Sequence, residues 1–205
     1  MRVQCSFLAG EEKERIHRDS LRILSETGVR FMNGKALQIL SRNGAKVDNV
    51  NKIARIPAEM VAEALKRAPK SFTLGARNAA HDFPLPSGWS GYTLDGEATF
   101  AIDFETGERR NGMTRDLIAS LRIFEELPLG TVVWPNVMLS DIPVHSADIR
   151  SACLSLMYSS KHIQHELHSA ELVPFLIEAL AAVLGGEDAI RKRKIFSVCY
   201  PHVVT

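Results

Sequence analysis

Strand-like and helix-like patterns alternate at an even spacing through the second half of the chain. Apolar runs typical of buried strands begin near residues 131, 162 and 195, with helical periodicity between them. The steps of 31 and 33 residues match one strand-helix unit of a (β/α)8 barrel or of an open doubly wound sheet. We therefore predict an α/β fold in which these strands are consecutive, parallel and joined by right-handed helical crossovers.

The helices of this region are bounded by sequence signals. One is predicted over 114–127 and another near 144–159. The third extends to Leu184, and Pro174 means that its first turn is kinked or that it begins later than Ser169 suggests. The strands are predicted over 131–138, 162–167 and 195–200.

The first half of the chain shows two other patterns. Apolar spacing predicts a helix over 12–26, a second helix capped by Asn33 and a third that begins at Pro57, so residues 1–69 form a helical cap. The period then changes to two, which predicts short antiparallel strands over 70–112.

These patterns divide the chain into two segments. Residues 1–112 are predicted as the helical cap with its small antiparallel β segment, and residues 113–205 as about three βα units of an incomplete (β/α)8 TIM-type barrel. The sequence stops at Thr205 directly after an apolar strand, which leaves an unpaired sheet edge. We expect a missing half to complete the sheet, and we expect the isolated chain to self-associate as a homo-oligomer.

Composition narrows the functional classes. With 25 Lys plus Arg and 24 Asp plus Glu, the net charge is +1, which argues against nucleic-acid and membrane-surface binding. No apolar run approaches the ~20 residues of a membrane span. Cys5, Cys153 and Cys199 form no CxxC pair, which favours thiols in a reducing compartment and hence a cytoplasmic protein. Motifs for nucleotide binding and for serine hydrolysis are absent from the sequence.

Three histidines stand close together in His162-Ile163-Gln164-His165-Glu166-Leu167-His168. On a strand, alternate residues share a face, so His165 points away from His162 and His168 and the three cannot converge on one ion. We therefore predict no metal site here.

His165 is the candidate catalytic residue, because it lies at the carboxyl end of the second strand, where barrel enzymes place their working groups. We expect it to face the inside of the completed barrel, away from the outer helices, as a partly desolvated and therefore neutral imidazole. The alternative is a packed strand histidine. Glu166, on the opposite face, is a candidate substrate-binding carboxylate.

Two further residues are candidates for substrate binding. Asp141 follows the first strand and either holds a cationic group or caps a helix. Tyr92 belongs to a stretch of glycines and aromatics that begins at Gly88, and aromatic faces bind quaternary ammonium groups. A glycine-permitted turn with buried rings is the alternative for that stretch.

Several blocks of sequence carry a family pattern. They are His17-x2-Ser20-Leu21-x-Ile23-Leu24-x-Glu26-Thr27-Gly28-Val29, Gly44-Ala45-x-Val47-Asp48, Arg55-Ile56-Pro57, Ala68-Pro69-Lys70-Ser71-Phe72-Thr73-Leu74 and Asp103-x2-Thr106-Gly107-Glu108-Arg109-Arg110. With these blocks the chain resembles the N-terminal portion of the trimethylamine methyltransferase family over essentially its whole length.

The resemblance implies a barrel enzyme that moves a methyl group from a methylated amine to the cobalt of a corrinoid carried by a separate partner protein. It leaves open whether the substrate is trimethylamine, in the branch that uses pyrrolysine, or a compound such as glycine betaine, in the branch that lacks it. Either substrate requires a dry pocket for a cation. We expect the 205 residues alone to be inactive. The alternative is a non-catalytic remnant or interaction module that pairs through its open sheet edge.

Overall fold

The computed structural model describes residues 7–199, with the backbone alone described at Cys199. Cys5 and the Cys199 side chain therefore lie outside the described residues, as does the end of the strand predicted to reach residue 200. One compact unit ends at Lys70 and a second begins at Ser71. The β segment predicted over 70–112 lies in the second unit, and the boundary predicted after residue 112 stays a prediction.

Residues 7–70 of the first unit form three α-helices and a small sheet. In chain order its elements are α1 (Gly10–Arg22), β1 (Val29–Arg30), α2 (Gly34–Arg42), β2 (Lys46–Asp48), β3 (Ile53–Arg55) and α3 (Ala58–Arg67). The strands form an antiparallel sheet in the order β1-β3-β2, which the prediction of a purely helical cap missed. Leu37, Ala45 and Ala54 form the core of the unit.

Local signals fix the helix ends in this unit. Asn33 caps α2 as predicted, since its side-chain oxygen accepts hydrogen bonds from the backbone N–H groups of Lys35 and Ala36. The helix α1 continues as a π turn over Ile23–Thr27 and ends at Gly28, whose φ is +82°. A Cβ at Gly28 would lie 2.7 Å from the carbonyl oxygen of Ala54, so the close approach of β3 requires glycine.

The second unit begins with short strands and continues with alternating strands and helices. In chain order the strands of its first part are β4 (Phe72–Leu74), β5 (Phe83–Leu85), β6 (Tyr92–Thr93), β7 (Phe100–Ile102) and β8 (Arg109–Asn111). The alternating part comprises α4 (Thr114–Glu125), β9 (Gly130–Val133), α5 (Val144–Tyr158), β10 (His162–Glu166), α6 (Val173–Leu184), α7 (Glu187–Lys192) and β11 (Phe196–Cys199).

The parallel arrangement predicted for the last three strands is confirmed. The strands β9 and β11 both pair with β10 in parallel, with Ile163 opposite Val133 on one side and Phe196 on the other. The strand β9 ends at Val133 rather than near residue 138, because Pro135 follows and lacks the N–H that a ladder needs. The molecule is thus a mixed α/β protein with a parallel sheet.

The small β segment is only partly antiparallel. The pairs β4-β5 and β7-β8 are antiparallel as predicted, but β6 pairs in parallel with β9 and becomes a fourth strand of the parallel sheet, in the order β11-β10-β9-β6. A Cβ at Gly91 would collide with the Thr131 side chain, so glycine is what allows β6 to approach β9.

The predicted helices of this unit agree closely with α4, α5 and α6. The helix α6 begins at Val173, so Pro174 falls in its first turn, where a missing N–H costs nothing. A 3-10 turn over Ala170–Leu172 precedes it. The core between sheet and helices is formed by Leu117, Leu121, Phe124, Val133, Leu154, Leu156, Ile163, Leu176 and Leu180.

Within residues 7–199 we find no helix with the length and apolarity needed to cross a lipid bilayer.

Candidate functional site

A cavity of about 370 Å³ lies beyond the carboxyl ends of β9 and β10. Binding sites of parallel α/β proteins collect at this end of the sheet, because the loops that follow the strands converge there. Its walls combine apolar side chains with carboxylates and imidazoles: Met138, Leu139, Val144, Leu172, Glu97, Asp148, Glu171, His145 and His168. Apolar walls with a few converging polar groups are typical of a small-molecule site.

Glu97 is held in the wall by its neighbour in the chain. Ala98 forms a parallel bridge with Val137, in the segment after β9. The Ala98 N–H donates to the Asn136 carbonyl at 3.0 Å, and the Ala98 carbonyl accepts from the Met138 N–H at 2.9 Å. These bonds anchor Glu97 beside the end of β9, and its side chain is 14% exposed.

Asp148 and His168, which also line the cavity, form an ion pair. Asp148 is buried in α5, and one of its carboxylate oxygens accepts a 2.8 Å hydrogen bond from the His168 backbone N–H. The His168 ring nitrogen Nδ1 lies 3.2 Å from both carboxylate oxygens. The hydrogen bond to Asp148 raises the pKa of His168 above its ordinary value, so His168 carries positive charge more readily than a free histidine.

His165 lies behind Glu97 and is fully buried. Its Nε2 is 3.1 Å from the Asp148 backbone carbonyl, which only accepts, so Nε2 carries the proton and donates it. Its Nδ1 lies 3.7 Å from Oε1 of Glu97 and has no hydrogen-bond partner. Burial lowers the pKa of His165 to about 4, so the ring is neutral near pH 7.

Glu97 has the opposite response to the same surroundings. Burial, with the nearby charges of Asp148 and Glu166, raises the pKa of Glu97 to about 7, against the smaller opposing effect of His168. The site therefore combines a carboxyl group that titrates near neutrality with an apolar wall. Such a cavity suits a small organic cation. A partly buried carboxylate is poorly hydrated, and a bound cation supplies the positive charge that stabilises its ionised form.

The predicted orientation of His165 is wrong. Alternation correctly separates His165 from Glu166 but does not say which face meets the helices, and the hydrogen bond to α5 places His165 on the helix side. Glu166 lies at the end of β10, close enough to influence the charge of Glu97. The structure thus brings His165 and Glu166 to the same end of the sheet, on opposite sides of β10.

Asp141 and Tyr92 are located elsewhere. Oδ1 of Asp141 accepts hydrogen bonds from the backbone N–H and the hydroxyl of Thr114. The interpretation of Asp141 as a cap of the helix that follows it is not what the structure shows, because Pro143 is the residue that precedes α5 and Asp141 instead stabilises the start of the earlier helix α4. Tyr92 pairs with Gly130 at the start of β9, at the opposite end of the sheet from the cavity, and is 61% exposed.

The neighbouring histidines do not assemble a metal site. Nδ1 of His162 is hydrogen-bonded to the Gly75 carbonyl and Nε2 to the Ser197 hydroxyl, so both ring nitrogens already have partners within the protein. Among residues 7–199 no group of three or more His, Cys, Asp or Glu side chains has the placement to hold an ion.

Sequence reasoning missed Glu97 and Asp148. A signal existed for Asp148, because it shares the buried face of its helix with Ala152 and Ser155, where a carboxylate is unusual. Glu97 follows the Asp95-Gly96 turn and belongs to neither periodic pattern, so nothing in the sequence distinguished it from a solvent-exposed glutamate.

Comparison with known proteins gives a consistent result. Residues 2–203 match the family described as trimethylamine methyltransferase. Trimethylamine methyltransferase MttB of Desulfitobacterium hafniense (strain DSM 10664 / DCB-2) is 32% identical over 199 residues, which is 96% of this chain and 40% of that protein. Glycine betaine methyltransferase of Desulfitobacterium hafniense (strain Y51) is 26% identical over 202 residues, which is 93% of this chain and 39% of that protein.

A third relative, trimethylamine methyltransferase MttB of Methanosarcina thermophila, is 26% identical over 210 residues, with 96% of this chain and 42% of that protein covered. The chain therefore spans about 40% of the length of these relatives.

Proposed function

The chain belongs to the trimethylamine methyltransferase family, and from this membership we propose that the protein transfers a methyl group from a methylated amine to a corrinoid carried by a partner protein. Trimethylamine and glycine betaine are the two candidate donors, because both appear in the names of its relatives. The proposal extends beyond the described residues, since the relatives are more than twice as long as the chain.

The cavity beyond β9 and β10 is the observation that supports this function most directly. We propose that it forms the N-terminal side of the amine pocket and that the parallel sheet is part of a (β/α)8 barrel. Its apolar walls suit the methyl groups of the substrate and exclude water from them. Glu97 and Asp148 supply negative charge near the amine nitrogen, and Glu166 adds to it from the end of β10.

The corrinoid itself does not fit this cavity. A volume of about 370 Å³ holds a small amine, whereas a corrin macrocycle with its side chains is much larger. We therefore propose that the corrinoid is presented at the cavity by the partner protein, where it supplies the nucleophile that accepts the methyl group. The role of the described residues is to bind the cation, orient it and keep water away.

His165 has a positioning role in this proposal, because it reaches the cavity only through Glu97 and Asp148. Replacing it by alanine should lower methyl transfer at least ~10-fold, equivalent to about 1.4 kcal/mol of transition-state stabilisation. A positioning role through Glu97 should also shift the pH profile of the reaction, whereas a histidine that only fills space would leave the profile unchanged.

The test of the function is a methyl-transfer assay on the protein expressed from its complete reading frame. Cob(I)alamin serves as acceptor, trimethylamine or glycine betaine as donor, and formation of methylcobalamin is followed by absorbance. Methylation by either donor, reduced at least ~10-fold in Glu97→Gln but not in Glu105→Gln at an exposed hairpin turn, supports the proposal. If neither donor reacts, with a cognate corrinoid protein as acceptor as well, the proposal of methyl transfer from these donors is wrong.

A further inference from the structure

We propose that the Glu97 carboxyl group carries a proton in the ligand-free protein and releases it to solvent when a methylated ammonium ion enters the cavity. The inference rests on the proposed function in one respect, because it takes the ligand to be an organic cation. It adds that the proton on the Glu97 carboxyl group is exchanged for the positive charge of the bound ammonium ion.

The position of His165 gives the geometric reason. Its Nε2–H donates to the Asp148 carbonyl, so the neutral ring has its free lone pair on Nδ1, which lies 3.7 Å from Oε1 of Glu97. This Nδ1 is fully buried and has no hydrogen-bond partner. No hydrogen bond joins the two atoms at this distance, but a carboxylate would place negative charge beside that buried lone pair, whereas a protonated carboxyl group would not. The arrangement therefore favours the neutral form of Glu97.

The net effect of the charges around Glu97 is in the same direction. Asp148 on α5 and Glu166 on β10 raise the pKa of Glu97, and His168, which is ion-paired with Asp148, opposes them with a smaller effect. His145 on α5 and Glu171 in the 3-10 turn line the same cavity. A second free carboxylate in this partly buried space is unfavourable until a cation enters.

Entry of a cation reverses this balance. A quaternary ammonium ion cannot donate a hydrogen bond, so it is held by charge and by contact with the apolar wall, and an ionised Glu97 serves it better than a neutral one. Deprotonation sends the proton to the buffer. The raised pKa of Glu97, about 7, places this exchange within the range in which binding can be measured.

The experiment is isothermal titration calorimetry of tetramethylammonium chloride, whose charge does not change with pH, in pairs of buffers that differ in ionisation enthalpy. At about pH 6 we expect release of about one proton per ion bound, and affinity should weaken about tenfold for each pH unit below the Glu97 pKa. Glu97→Gln should bind without proton release and with an affinity that does not vary with pH.

His168 is the other group that could lose a proton, so His168→Asn is the matched control. The inference requires proton release to persist in His168→Asn and to vanish in Glu97→Gln, with both variants matching the parent protein in circular dichroism. Release that persists in Glu97→Gln, or vanishes in His168→Asn, overturns it. Binding without any proton release contradicts this inference alone, whereas no binding at any pH contradicts the cation pocket of the proposed function as well.

Discussion

Nδ1 of His165 and Oε1 of Glu97 face each other across 3.7 Å, with side chains that are 0% and 14% exposed. Burial disfavours charge on both groups, so it lowers the pKa of the histidine to about 4 and raises that of the glutamate to about 7. Between about pH 4 and pH 7 both side chains are therefore neutral, as burial favours.

Glu97→Gln should change how the stability of the protein depends on pH. The pKa of Glu97 rises from 4.5 to about 7 on folding, so its stabilising effect is present at acid pH and is lost as pH rises through 7. Glutamine does not titrate. We expect the variant to gain about 1–3 kcal/mol relative to the parent protein between about pH 5.5 and 8.5, measured by urea denaturation.

His165 is present in the parent protein and in Glu97→Gln, so its contribution to the pH dependence of stability cancels in the difference between them. The lowered pKa of His165 reduces the stability of the protein only as pH falls below about 6.5. This reduction is the same in the parent protein and in Glu97→Gln. Glu105→Gln, at an exposed turn, should show no pH-dependent gain. A stability difference between Glu97→Gln and the parent protein that is constant across this pH range would contradict the prediction.

Local sequence pattern was sufficient to predict elements in which apolar residues recur over several turns. The span of α4 could be predicted because Leu117, Leu121 and Phe124 recur at helical spacing along it. Asn33 could be identified as a cap because a cap contacts residues two and three positions away. The strands β1 and β6 have only two residues each, too few to establish a period of two. Their pairings depend on partners distant in sequence.

The site was harder to predict for the same physical reason. Alternation along β10 showed that His165 and Glu166 lie on different faces, but the face that meets α5 is decided by packing. Glu97 reaches the cavity through the bridge between Ala98 and Val137, a contact between segments almost forty residues apart. Sequence pattern without an alignment carries no information about such a contact.

Asp141→Ala should destabilise the protein by about 1 kcal/mol, because Oδ1 of Asp141 caps α4 through the N–H and hydroxyl of Thr114. Asp141→Asn keeps an acceptor oxygen and should retain most of that stability. The asparagine variant also tests the predicted contact of Asp141 with substrate. Unchanged amine affinity in Asp141→Asn would leave the residue with its capping role alone, whereas reduced affinity with normal stability would support binding.

Gly91→Ala should destabilise the pairing of β6 with β9 by about 1–3 kcal/mol, because the added Cβ meets the Thr131 side chain. Thr131→Ala removes the hydroxyl and the methyl group that lie nearest to it. The double variant should therefore lose less stability than the sum of the two single variants, as measured by a double-mutant cycle in urea. Additive losses would mean that another contact limits the approach of these strands.

Lys161→Met should cost about 1–3 kcal/mol, because Lys161 is a buried cation that satisfies the end of a helix. Its ammonium group donates to the carbonyls of Phe124 and Leu127, at 2.7 and 2.8 Å, at the end of α4. These carbonyls also accept from the backbone N–H groups of Leu127 and Gly130, at 3.2 and 3.1 Å. Burial lowers the pKa of Lys161, and the negative charges of Glu125 and Glu126 oppose part of that effect. Methionine preserves the apolar stem but removes the ammonium donor from both carbonyls, each of which keeps only its backbone N–H donor. Lys192→Met, at an exposed position of α7, is the matched control and should change stability by less than about 0.5 kcal/mol. Equal urea midpoints for the two variants would show that water replaces the ammonium group at the end of α4 without loss.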